Sequence, residues 1–514
     1  MAVAVANRRA ITFCVMFAAI MQALDTTIAN VALPYMQGSL SASQDQINWV
    51  LTSYIVAAAI MTPPTGWLVA RFGRTRFFLV AITGFTIASA LCGFAGSLEQ
   101  MVVFRLLQGV FGASLMPLSQ AVLLDINPRE KQGSAMAIWG VGVMVGPILG
   151  PTLGGWLTEN FDWRFVFFIN IPIGIVTLIG IATFLPETSR GARGRFDWFG
   201  FGSLSIGIGA LQLMLDRGQQ RDWFGSTEII IEAVIAVAGL YLFLVQLFTA
   251  EKPFVSPRLF KDRNFVIGTV FIFIVGIMLL ATLALLTPYL QIMMGYPVVD
   301  AGMLLAPRGG GTMVAMLLAG QLINRVDTRY LILGGLTIAA HALWRMTGFT
   351  PDVSAATIIG TGFEQGLGLG LVFVPLSTIT FSTLTTDLRV EAAGIYALFR
   401  NTGSSIGISV VMTLLQNNAQ VNHAEIVEHV TPFRRMFQTG PAAQILNPLT
   451  LPGRAALDGV VTGQSMTIAY MDNFKLMFMI SLAVMPFVLL FRRASGGLAA
   501  ATAKSAPEHV VAME

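Results

Sequence analysis

Residues 11–33 read ITFCVMFAAIMQALDTTIANVAL, with Asp25 as the one charged residue. About 20 apolar residues is what a helix needs to cross a bilayer core ~30 Å thick. Comparable runs recur along all 514 residues, of which 55% are hydrophobic and only 11% charged. Soluble domains carry about 25% charged residues. The mean hydropathy is +0.72. In lipid the backbone must satisfy its own hydrogen bonds, so such runs are helices or barrel strands. Barrel strands are about 10 residues long and alternate strictly. These runs are longer and apolar on all sides, so the chain is expected to be an all-α, polytopic membrane protein.

Working outward, spans are predicted near 11–33, 47–70, 77–97, 100–124, 134–157, 164–186, 196–215, 229–250, 264–291, 300–323, 330–349, 354–382, 390–416 and 472–491. With the N-terminus inside, the inside segments hold most of the 31 Lys and Arg residues, among them Arg8, Arg71, Arg129, Arg190, Arg193, Arg195, Lys261, Arg329, Arg389, Arg493 and Lys504. The outside loops receive a few, such as Arg217, Arg221, Arg434, Arg435 and Arg454. That asymmetry predicts an even number of spans with both termini cytoplasmic. It also accounts for the net charge of +4 without nucleic acid as a partner. Cys14 and Cys92 lie in apolar runs and form no disulfide framework or metal spacing. The four histidines match no ligand pattern.

The chain repeats itself. Gln108-Gly109 recurs as Gln365-Gly366, and Ile138-Trp139 with Gly146 and Gly150 recurs as Ile395-Tyr396 with Gly403 and Gly407. Gly66-x-Leu68-x-x-Arg71 recurs as Gly320-x-Leu322-x-x-Arg325. In each case the element moves by eight spans. This fits two parallel six-helix bundles with two extra helices between them. The expected divisions are an N-terminal bundle over 1–190, the extra pair and linker over 191–262, five helices of the C-terminal bundle over 263–416, a long external loop over 417–471, and the last helix and tail over 472–514. A loop this long is either a solvated linker or a docking surface.

Several motifs now carry a resemblance. Gly66-Trp-Leu-Val-Ala70-Arg71-Phe-Gly73-Arg74 resembles the loop signature after the second helix of the major facilitator superfamily. Arg105-Leu-Leu-Gln108-Gly109 resembles its fourth-helix motif, and Gly142-x-x-x-Gly146-Pro147-x-x-Gly150-Pro151-x-x-Gly154 its fifth-helix antiporter motif. Leu24-Asp25-Thr26-Thr27 through Pro34, Trp163-Arg164, Phe168-Ile169-Asn170 and Leu215-Asp216-Arg217-Gly218 are similar to the fourteen-helix drug:proton antiporters of the EmrB/QacA type. The resemblance covers nearly the whole chain. The loop departs from the family at Ala70, usually acidic, and at Thr75, usually basic. These departures put an Asp–Arg cytoplasmic latch between the halves in question.

Among the charges within spans, Asp25 is either a proton carrier or a structural carboxylate capping its neighbours. Intramembrane ionisable groups are expensive and functional by default. Arg105 stays protonated, so it either tunes a carboxylate, faces an anionic substrate, or holds a fixed ion pair. Glu364 and Arg400 either pair across the second half, or Glu364 is a second proton site. Arg308 is expected to snorkel outward. Asp25, Arg105 and Glu364 are the candidate proton-coupling residues. Asp25, Asn30, Gln108, Glu364, Arg400 and Asn401 are the candidates for lining a substrate cavity. The glycines and prolines from Gly142 to Gly154 are expected to pack and bend a helix at the interface between the halves.

The resemblance implies alternating access, with a proton gradient and no cofactor driving export of lipophilic small molecules from the bacterial inner membrane. It implies a periplasmic adaptor and an outer-membrane channel as partners, besides protons and membrane lipids. The rival on the same fold is a proton-coupled transporter of an endogenous metabolite or amino acid. An enzyme is disfavoured by the lack of a metal cluster, nucleophile–base pair or phosphate loop in the sequence.

Overall fold

A computed structural model describes residues 7–187, 196–431, 437 and 445–492. The first half contains α1 (Arg8–Ser39), α2 (Gln44–Ile47), α3 (Trp49–Met61), α4 (Thr65–Phe72), α5 (Arg74–Phe94), α6 (Leu98–Gly112), α7 (Leu115–Ile126), α8 (Arg129–Asn160), α9 (Phe165–Phe168) and α10 (Asn170–Phe184). Then come α11 (Trp198–Arg217) and α12 (Thr227–Thr249). The second half has α13 (Arg263–Pro288), α14 (Val298–Leu322), α15 (Thr328–Met346), α16 (Ala355–Phe381), α17 (Arg389–Glu428) and α18 (Leu451–Val484). No strand occurs among the described residues.

Helices occupy all fourteen predicted spans. Among the described residues, 11 are long and apolar enough to cross a membrane, or 12 with the bent pair α3–α4. The 60° bend between α3 and α4 falls at Pro63-Pro64, which lack the N–H groups a continuous ladder needs. The two remaining spans, α15 and α17, are diluted by His341 and Arg345 and by Arg389, Glu391 and Arg400. The halves meet through α8 against α14 and through α17 against α4 and α7. The extra pair packs on itself, and α11 also touches α3 and α17.

Two expectations are corrected. Most of 417–471 is helix rather than loop, because α17 runs on to Glu428 and α18 starts at Leu451. At 1.5 Å per residue, the 40 residues of α17 span about 60 Å, twice the ~30 Å core. Beyond the apolar stretch the two helices stay side by side: Asn422 donates to the Ser465 carbonyl at 3.4 Å, and His423 lies 3.2 Å from Asp458. Hydropathy reports where lipid ends, not where helix ends. Arg190, Arg193, Arg195, Arg434, Arg435, Arg493 and Lys504 lie outside the described residues.

The second correction concerns the glycine motif. Gly142, Gly146, Gly150 and Gly154 face α1 of their own half, against Met16, Ala23, Thr27 and Ile28 respectively. Thr27 donates to the Gly146 carbonyl at 3.0 Å. The half–half contact is made by other residues of α8: Gly133 on Ile323, Gly140 on Met316 and Ile148 on Gly309. The helix stays continuous through Pro147 and Pro151. A methyl at position 146 would lie 2.5 Å from the Ala23 carbonyl carbon. Gly146→Ala should therefore push α1 off α8 and lower stability by about 1–3 kcal/mol, read as a lower melting temperature in detergent. Gly155→Ala, with open space around its Cβ, should melt like the wild type.

Candidate functional site

The first half encloses a polar cluster around Asp25, which has 0% of its surface exposed. Burying a carboxylate among apolar helices is tolerable only if it is paired and hydrogen-bonded. Two elements supply its partners, α6 and α10, and α5 supports the second. Arg105 of α6 donates from Nη1 to Asp25 Oδ2 at 2.8 Å. Gln108, one turn further, donates to Asp25 Oδ1 at 2.8 Å. Asn170, the first residue of α10, donates to the same oxygen at 3.1 Å. Ser89 of α5 accepts from Asn170 at 3.0 Å and donates to the Phe167 carbonyl at 2.9 Å.

Arg105, 1% exposed, spends its other donors locally. Nε reaches the Val50 carbonyl at 3.0 Å, and Nη1 also reaches Gln108 Oε1 at 2.8 Å. Its guanidinium stacks over the Tyr54 ring at 4.5 Å and lies 5.6 Å from the centre of Phe167. Cation–π contact adds to the ion pair where water is excluded. The arrangement turns only donors toward the Asp25 carboxyl oxygens.

Asp25, Arg105 and Gln108 are thus brought together as a unit. Asn170, Tyr54 and Ser89 complete it. Asn170 was legible only as part of the Phe168-Ile169-Asn170 motif, with no role given to it, and Tyr54 and Ser89 were not singled out from sequence. Asn30 is exposed and outside this cluster. Glu364 does not meet Arg400. It is turned toward α15, where it pairs with His341 and, at 3.0 Å, with Arg345. Arg308 does not snorkel; it is 7% exposed and donates to the Leu279 carbonyl at 2.7 Å. Arg400 and Asn401 are half-buried and touch each other at 3.4 Å.

At the end of the bundle where α5 and α17 begin, a latch joins the halves after all, built on a different acid. Asp125 at the end of α7 accepts from Arg74 at 2.8 Å and from Arg389 of α17 at 3.1 Å. Arg389 also donates to the Leu124 carbonyl at 3.2 Å. Glu391 lies against Gly66 and accepts from the Ser256 N–H, so the linker after α12 is tied in as well. Gly73 (φ 88°) makes the turn that aims Arg74, a left-handed conformation that glycine adopts without strain. Arg71 of the same motif is exposed.

Two helical halves related by an internal repeat, with a buried carboxylate–guanidinium pair at the centre of one, define a polytopic membrane transporter. Residues 15–408 match the Major Facilitator Superfamily, and the chain belongs to it. It is 40% identical over 425 residues to the fatty acid resistance protein FarB of Neisseria gonorrhoeae, covering 82% of this chain and 84% of that one. It is 39% identical over 424 residues to the multidrug export protein EmrB of Escherichia coli K12, covering 82% and 83%. Among solved structures, the proton:xylose symporter XylE bound to 6-bromo-6-deoxy-D-glucose superposes with a TM-score of 0.60 at 14% identity, covering 95% of this chain and 97% of that one. That likeness bears on the fold alone.

Proposed function

We propose that this protein exports lipophilic small molecules in exchange for protons, by alternating access between its two halves. The observation that supports the reading best is the Asp25–Arg105–Gln108–Asn170 cluster, a titratable group held where a change of packing would expose it. The relatives named as export and resistance proteins place the activity in the efflux class. The charge asymmetry along the sequence favours both termini on the cytoplasmic side of a bacterial inner membrane.

The test is exchange in proteoliposomes under an imposed pH gradient, with a panel of lipophilic dyes. Dye moving against proton flow supports the proposal. A protein that moves no dye but takes up a polar metabolite with protons would overturn it in favour of metabolite transport.

The paired extensions of α17 and α18 support a docking role toward a periplasmic adaptor leading to an outer-membrane channel. They and the turn leading into α18 carry exposed Val421, Val427, Leu449, Leu451 and Val460 beyond the apolar stretch. Replacing these five residues by serine should abolish co-purification of the adaptor while leaving dye exchange in proteoliposomes unchanged. Retained co-purification would place docking elsewhere.

A further inference from the structure

The end of the bundle opposite the latch holds a cavity that the Asp25 cluster does not use. It lies where α2 turns into α3 and meets the turn after α11. Its volume is about 190 Å³, and Trp49, Thr52, Asp216, Arg217 and Arg221 line it together with amide side chains. A pocket for a whole drug-sized molecule is about 300 Å³ or more, so this one is sized for a small polar group.

Opposite charges line the cavity without cancelling. Arg217 is taken up by Glu228 and, at 3.9 Å, by Glu232 of α12, and lies 5.7 Å from the centre of the Trp49 ring. Thr52 of α3 donates to Oδ2 of Asp216. No hydrogen bond reaches the other oxygen of that carboxylate among the described residues. Arg221, half-exposed, approaches Glu228 only to 3.6 Å, longer than a hydrogen bond. The cavity therefore offers an open acceptor at Asp216 and an open fork of donors at Arg221. A lone cation would satisfy the first and be repelled by the second, and a lone anion the reverse. A zwitterion answers both.

The surroundings indicate what carries it. Trp49 and Phe224 are 37% and 64% exposed at this end of the bundle, and aromatic side chains gather at the membrane–water boundary. Ile231 and Ile235 continue the Glu228 face of α12 at helical spacing. Both are exposed within a helix apolar enough to cross a membrane. An apolar strip thus leads from the cavity along the lipid-facing side of the extra pair. The turn that carries Arg221 is held in shape: Asp222 (φ 58°) and Trp223 (φ 46°) are left-handed without being glycine, and Trp223 Nε1 donates to Gln219 at 3.3 Å.

We propose that this cavity binds the zwitterionic head of a phosphoethanolamine phospholipid, its ammonium on Asp216 and its phosphate on Arg221, with the acyl chains along Ile231 and Ile235. An ethanolamine ammonium brings the N–H donors that the open carboxylate oxygen accepts, and a choline head has none. A guanidinium fork matches phosphate oxygens, and the Trp49 ring offers the ammonium a π face. Since the Thr52–Asp216 hydrogen bond joins α3 to α11, the bound head sits in the joint between the first half and the extra pair.

The experiment is native mass spectrometry of the full chain in detergent, titrated with dioleoyl phosphatidylethanolamine, phosphatidylcholine or phosphatidylglycerol. Wild type should retain one phosphatidylethanolamine about fivefold more tightly than either of the others, the scale of one half-exposed charge pair. Asp216→Asn, which keeps an acceptor for Thr52, should hold phosphatidylethanolamine no better than phosphatidylcholine. Arg221→Gln, on the exposed turn, should weaken it by a similar factor. Arg325→Gln, an exposed arginine at the latch end, should bind as wild type does. Equal melting temperatures show that the variants are folded. A wild type without the preference, or a preference kept in both Asp216→Asn and Arg221→Gln, overturns the proposal. So does the same loss in Arg325→Gln, which would make the effect one of overall charge. Glycerophosphoethanolamine, the same head without acyl chains, is added as a competitor. If it displaces the lipid at equal concentration, the site takes a soluble zwitterion and the lipid assignment falls.

Discussion

Asp25→Asn protein, reconstituted under a pH gradient, is expected to bind its substrate and to lose uphill exchange. Every group facing this carboxylate is a donor. Arg105 Nη1 reaches one oxygen, and Gln108 and Asn170 reach the other. An amide turns one of those acceptors into an N–H facing an N–H, whichever way it is oriented. Gln108 cannot relieve the conflict by flipping, because its own carbonyl accepts from Arg105. The variant also leaves Arg105, 1% exposed, without its counter-charge. Removing one partner of a buried ion pair costs about 3–5 kcal/mol. Thermal unfolding in detergent should show that loss. Adding Arg105→Gln removes the orphaned charge, so the double variant should recover part of the melting temperature while exchange stays absent. Uphill exchange at the wild-type rate by a folded Asp25→Asn protein would make the carboxylate structural and send the search for the proton site elsewhere.

The second large effect is expected at the latch. Asp125→Ala takes the acid from between Arg74 and Arg389, which are 6% and 5% exposed. The two cations then repel each other across the boundary between halves, and this end of the bundle loses its main polar tie. A bias of about 3 kcal/mol changes a two-state ratio roughly a hundredfold, enough to convert a closed majority into an open one. Spin labels at the exposed positions Arg76 and Arg325 report the separation of the halves, since Cys14 and Cys92 are buried. The distance distribution should shift to longer values in Asp125→Ala. Arg389→Ala should shift it too, because it cuts the tie from the other side. Unchanged distributions in both variants would mean that the α8–α14 contact alone holds this end shut.

The latch also shows where sequence reading stops. The absence of an acid at Ala70 argued against an Asp–Arg tie, and that inference was sound for the loop alone. The acid comes instead from Asp125, 264 residues from Arg389, which no local pattern connects to the loop. The glycine face of α8 shows the same limit. Its four-residue spacing announced close helix packing, but the partner proved to be α1 rather than the other half.

What the sequence by itself determined is the set of helices and the charges that cannot be indifferent. Partition into lipid belongs to each window of about 20 residues taken alone, and a lone Asp25 or Arg105 in such a window is conspicuous without any neighbour. The repeat likewise declared two related halves before any contact was known. What only the tertiary structure decided is which charge answers which. Asp25 meets Arg105 across 80 positions, Glu364 turns to α15, and Arg308 and Arg400 meet no acid among the described residues. Those outcomes depend on the rotation of each helix about its axis and on the small residues that let two helices close. Both are set by packing between segments far apart in the chain, which windowed hydropathy does not sense.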